Sequence, residues 1–93
     1  MQNQSSYTQN IQAPLVSFII TTYNMPTEYL EECIKSILQL SLNAREREII
    51  LVDDGSDICA INELTKYLSQ IIYLRQPNQG ASVARNYGMM IAK

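Results

Sequence analysis

The chain alternates apolar, β-branched runs with segments of helical periodicity, and it does so three times. Residues 15–21 (LVSFIIT), 48–53 (EIILVD) and 71–74 (IIYL) read as strands, and the first is apolar enough to expect burial on both faces. Asn24, Met25 and Pro26 form a turn after the first. Thr27 can then cap a helix over residues 27–40, with Glu28, Glu31 and Glu32 in or near its first turn. Leu30, Cys33, Ile34, Ile37 and Leu38 fall on one face of that helix. Residues 41–47 are polar and read as a loop. Asp57 is the expected cap of a second helix whose face carries Ile61, Leu64 and Leu68. A third helix starts at Ala81, with Ala84, Tyr87, Gly88 and Ile91 at helical spacing. The order β-α-β-α-β-α predicts an α/β fold: a parallel sheet with right-handed crossovers and helices on both faces.

Such a sheet gathers its strand-to-helix loops along the carboxyl edge, where ligands of open α/β sheets bind. Three loops far apart in sequence therefore become neighbours: TTYNMPT, DDGSD and RQPNQG. The first, with Thr21, Thr22, Tyr23 and Asn24, carries neither GxGxxG nor GxxxxGK[ST], so it does not cradle phosphates as those motifs do. Tyr23 can offer its face to a planar base, or it can pack on its own domain; stacking on a base is worth about 1–3 kcal/mol. In the second loop Asp53 and Asp54 point to opposite sides of the strand. One can accept a hydrogen bond from a ligand while the other ties down a loop, or both can sit solvated in an Asx turn. Gly55 permits the tight turn that follows. The third loop and its helix hold Asn78, Gly80, Ser82, Arg85 and Asn86. Arg85, one turn into the helix, suits a diphosphate, or it can pair with a nearby surface acid.

Composition removes other classes. With no histidine among 93 residues, no His-based base, triad or metal site lies within the chain. A formal charge of −2 leaves no footprint for nucleic acid. Cys33 and Cys59 stand 26 positions apart with no CxxC, which suits two reduced thiols in a cytosolic protein. No apolar run approaches the roughly 20 residues of a spanning helix. Residues 1–13 are polar and the first basic side chain is Lys35, so the start does not read as a secretory signal. Those thirteen residues are expected to be a disordered polar tail, with residues 14–93 forming the folded part.

LVSFIITTYN, EIILVDDGSD and NQGASVARNYGMMIAK, in this order and spacing, resemble the N-terminal half of glycosyltransferase family 2. The resemblance covers about residues 15–93, and VDDGS and N-x-G-x-S-x-A-R-N are its most diagnostic parts. It implies a partial GT-A fold, Rossmann-like in arrangement. By position, Thr21 and Tyr23 match the residues that contact uracil, Tyr23 by stacking. Asp54 matches the carboxylate on the base imide N–H. Asp53 matches its neighbour, which contacts the ribose or supports the loop. Asn78, Gly80 and Arg85 match the segment that closes over the nucleotide and its diphosphate. Many members have Pro where Thr21 stands, and Ser56 is followed here directly by Asp57 rather than by Thr-Asp.

The resemblance further implies an inverting transfer from a nucleoside-diphosphate sugar, with UDP favoured, to the hydroxyl of a carbohydrate or lipid-linked acceptor. Bacterial cell-surface polysaccharide synthesis is the expected setting. The family's D-x-D for Mn²⁺ or Mg²⁺, its catalytic base and its acceptor pocket fall beyond a position like Lys93, and no acid follows Glu63. The chain is thus expected to hold the donor nucleotide without catalytic or metal ligands of its own. A cytoplasmic place, peripheral to the inner membrane in a full-length protein, is implied. The competing reading is a non-catalytic α/β module, completed through its uncovered sheet edge by a second copy or a partner. A receiver domain would need its acids after the first strand, and a dehydrogenase its glycine fingerprint; the sequence has neither.

Overall fold

The computed structural model describes residues 14–93. The expected tail lies outside the described residues. Three strands form one parallel sheet in the order β1 (Val16–Thr22), β2 (Arg47–Asp53) and β3 (Ile72–Arg75). The α-helices are α1 (Thr27–Leu38) and α2 (Ala81–Ile91). This is the α/β arrangement expected.

β2 is the centre. Ile49, Ile50, Leu51 and Val52 are fully buried because strands flank it and layers cover both its faces. Leu51 packs with Leu30 and Ile34 of α1 and with Leu64 and Tyr67. Ile50 and Val52 point the other way, onto Ala84 of α2. Alternation along one strand thus feeds two cores. Burial of both faces is a property of β2; β1 is an edge strand among the described residues and is only half-buried.

α1 opens one residue after Pro26, whose φ of −56° suits a helix start. Thr27 is its first residue and not its cap; its hydroxyl donates to Glu63 instead. Leu30, Ile34 and Ile37 are buried as expected, but Cys33 faces solvent. Cys33 and Cys59 are both unbridged thiols.

The second expected helix does not form. Two 3₁₀ turns, Ala60–Glu63 and Thr65–Tyr67, occupy its place. Its first amides are claimed from outside the segment: Asp57 N–H donates to Asn24 Oδ1 at 2.9 Å and Ala60 N–H to Asp53 Oδ2 at 3.1 Å. Spacing by three then selects the inner face, so Leu64 and Tyr67 are buried while Leu68 is 52% exposed.

α2 lies close against the sheet at Gly88. A β-carbon there would stand 2.6 Å from Ile19 Cγ2 and 3.2 Å from Val52 Cγ2. Ala84, one turn earlier on the same stripe, is the other small residue of the contact.

Candidate functional site

The three loops meet at the carboxyl edge and are tied to one another. Asp54 N–H donates to the Thr22 carbonyl at 2.8 Å, and Gln76 N–H to the Asp53 carbonyl at 3.0 Å. Asn24 adopts a left-handed φ of 51°, which Asn tolerates. In that pose its backbone N–H donates to Ser56 Oγ at 2.8 Å, and its side-chain oxygen accepts from Asp57. Asn24 therefore ties the first loop to the second.

Asp53 and Asp54 divide the remaining work. Asp53 has 0% exposure and collects four donors: Ser56 N–H on Oδ1, and Ala60 N–H, the Tyr73 hydroxyl (2.6 Å) and Arg75 (3.1 Å) on Oδ2. Arg75 stands opposite Asp53 in the β2–β3 register and also donates to the Ser56 carbonyl at 2.8 Å. Burial pushes the Asp53 carboxyl up, but the hydrogen bonds from Tyr73, Ser56 and Ala60 outweigh it and leave it below the usual carboxylate range. Burial and the bond to Asp53 push the Tyr73 phenol up to about 12. With no exposed surface, Asp53 holds the turn after β2 to the end of β3.

Asp54 is 4% exposed and faces the third loop. Its Oδ1 accepts from Gln76 Nε2 and from Gln79 N–H, each at 2.8 Å. Its Oδ2 accepts from Gly80 N–H at 2.9 Å and Asn78 Nδ2 at 3.2 Å, and Asn78 Nδ2 also reaches the Asp54 carbonyl at 3.1 Å. The Gln76 and Gln79 bonds lower its pKa, burial opposes them, the Gly80 bond adds to them, and the like charge of Asp53 opposes again. Asn78 and Gly80 are thus bound to Asp54.

Tyr23 is 50% exposed at the rim. Arg85 is exposed on α2 and makes no ion pair among the described residues. Thr21 and Thr22 separate. Thr22 is buried, and it lines a cleft of about 340 Å³ with Met25, Leu30, Ser56, Ile58 and Glu63, on the α1 side. Its hydroxyl has no hydrogen-bond partner among the described residues. Thr21 alternates to the other face, toward α2. The sequence reading missed Tyr73, Arg75 and Gln76. Their one visible signal is polar groups at the carboxyl end of a strand beside a strand that ends in two acids.

The residues present do not fit a divalent cation. Each oxygen of the acid pair accepts N–H or O–H donors. Among the described residues no three His, Cys, Asp or Glu converge.

Residues 17–93 match the family described as Glycosyl transferase family 2. The chain is 36% identical over 81 residues to the minor teichoic acid biosynthesis protein GgaB of Bacillus subtilis, covering 83% of this chain and 9% of that protein. Its fold is similar to S. aureus TarS 1-349, with TM-score 0.73, 25% identity, and coverage of 84% of this chain and 24% of that one. It is also similar to the mannosyltransferase PcManGT from Pyrobaculum calidifontis, solved with GDP-Man and Mn²⁺. There the TM-score is 0.75 at 19% identity, covering 88% of this chain and 25% of that one. The chain therefore spans a quarter or less of the length of these proteins. The sheet, the acid pair that ties its loops and the match over residues 17–93 agree: the chain belongs to glycosyl transferase family 2.

Proposed function

We propose that residues 14–93 hold the donor nucleotide of an inverting glycosyltransferase that moves a sugar from a nucleoside-diphosphate sugar to an acceptor hydroxyl. The observation that carries this reading is a pair of uncommitted side chains, one just after β1 and one on the helix that follows the third loop. Tyr23 offers an exposed aromatic face, and Arg85 offers a guanidinium with no acidic partner among the described residues. Thr21, Tyr23 and Asp54 face the base in this reading, and Arg85 faces the diphosphate. Thr22, Asn24, Asn78, Gly80 and Asp53 shape the loops. UDP is the favoured nucleotide through the family resemblance. Ligands for Mn²⁺ or Mg²⁺, the catalytic base and the carbohydrate or lipid-linked acceptor come from outside these residues. The work belongs to cell-surface polysaccharide synthesis on the cytoplasmic side of a membrane. No helix of the described residues is long and apolar enough to cross one.

Calorimetric titration of the chain with UDP and GDP, with and without Mn²⁺, tests the reading. Weak UDP binding that Tyr23→Ala diminishes is expected, by about 1–3 kcal/mol if a base stacks there. No binding of either nucleotide at millimolar concentration overturns it.

A second reading is a module completed by another chain. Val83, Met89 and Met90 of α2 are exposed apolar side chains, and β1 is an edge strand among the described residues. Sedimentation at high concentration separates the two: a clean monomer argues against self-association.

A further inference from the structure

We propose that Asp54 is the positioning residue of the β3–α2 loop: it fixes where residues 76–80 and the first turn of α2 stand, and so where Arg85 is presented. The clasp rests on geometry within the chain, and it relies on the donor-nucleotide reading only for what the loop serves.

The two carboxylate oxygens receive four donors from a stretch of five residues. A carboxylate has about four lone-pair positions, so none is left over. The donors are of two kinds. Gln79 and Gly80 give backbone N–H groups, which move only if the chain moves. Gln76 and Asn78 give side-chain amides, which can swing away.

Gly80 links the clasp to the helix. Its φ of 102° turns the chain into α2, and its carbonyl accepts the Ala84 N–H at 3.1 Å. The residue that binds Asp54 is therefore also the start of α2, one turn before Arg85.

The clasp has a fixed half and an exchangeable half. Asn78 Nδ2 makes the longest of the four bonds and already has a second acceptor in the Asp54 carbonyl. It can leave Oδ2 without losing every partner. A ligand N–H can then take that oxygen while Gln79 and Gly80 keep the loop in place.

Amide hydrogen exchange by NMR on the whole chain tests this, with the β2 amides of Ile50 and Val52 as the internal control. Hydrogen bonds to a charged group are strong enough that Asp54→Asn should speed exchange at Gln79 and Gly80 by roughly tenfold or more. Asn78→Ala should leave both amides protected. Retained protection at Gln79 and Gly80 in Asp54→Asn overturns the proposal, and if UDP affinity falls in that variant, Asp54 acts on the ligand alone. Should Asp54→Asn also expose the β2 amides, a pH titration of the unaltered chain decides. The Gln79 and Gly80 amide proton shifts should move together with one midpoint below the ordinary carboxylate range, and flat shifts overturn the proposal. Asp53 is the charged neighbour that opposes this lowering. If the unaltered chain binds no nucleotide, the donor reading fails while the exchange result still stands or falls by itself.

Discussion

Gly55 and Asn78 approach so closely that a β-carbon on Gly55 would lie 2.6 Å from the Asn78 backbone nitrogen. Gly55 also holds a φ of 79°. The turn after the acid pair and the third loop therefore fit together only through a missing side chain. Left-handed backbone strain and a clash with main chain, which cannot rotate away, act together in Gly55→Ala. A loss of roughly 2–4 kcal/mol in chemical denaturation is expected. A loss below about 1 kcal/mol would mean that the third loop yields easily.

Gly88→Ala tests the seat of α2. Alanine favours a helix over glycine by about 1 kcal/mol. Against that, Ile19 Cγ2 is attached directly to a β-branched carbon, so it moves only with χ1 or the strand. Overpacking of this kind costs about 1–3 kcal/mol. Net destabilisation in thermal unfolding is expected, and a more stable variant would show that α2 can lift without penalty.

Thr22→Val replaces a buried hydroxyl that has no partner among the described residues with a methyl of the same shape. An unsatisfied buried polar group costs about 1–3 kcal/mol, so the variant should be neutral or more stable. A clear loss of stability would reveal a partner for that hydroxyl, such as a water in the cleft.

Arg85→Ala should weaken UDP and leave uridine nearly unaffected, because the guanidinium faces the diphosphate in the donor reading. Paired titrations with the two ligands read this directly. An equal loss for both would move Arg85 from the phosphates to the fold.

Acid and base should erode stability through the same network. The folded pKa of Asp53 lies below its ordinary value, so its contribution is present above that value and is lost as pH falls through the folded one. The Tyr73 phenol is raised to about 12. Its contribution is present below its ordinary value of 10.0 and is lost as pH rises from there toward about 12. Denaturation midpoints followed across pH should fall at both ends. Asp53→Asn should flatten the acid limb and Tyr73→Phe the alkaline one.

Where local pattern and tertiary demand coincided, the sequence was readable. The β2 run is apolar on both sides, and it is buried on both. The stripe Leu30, Ile34, Ile37 found the core. Reading failed where side chains from elsewhere took over the backbone. Asp53 and Asn24 claim the amides at Ala60 and Asp57, and no helical periodicity can show that 3₁₀ turns result. Cys33 belongs to the apolar class, yet it sits at the margin of the α1 stripe and faces water. The acid pair was visible as a pair. That each acid would serve a different loop depends on Tyr73, Arg75 and Gln76, whose partnership exists only after β2 and β3 are paired.

That dependence bears on the register of the sheet. Arg75 meets Asp53 across a pairing that joins residues 22 positions apart, and a slip of one residue would carry Arg75 to the wrong face of the sheet. The ion pair therefore acts as a register pin for β3, the shortest strand, with four residues. The same pairing sets the third loop, because Arg75 and Gln76 reach Asp53 and Asp54 only from a β3 in this register. A four-residue strand thereby decides how the carboxyl edge is finished, through two side chains at and just beyond its end.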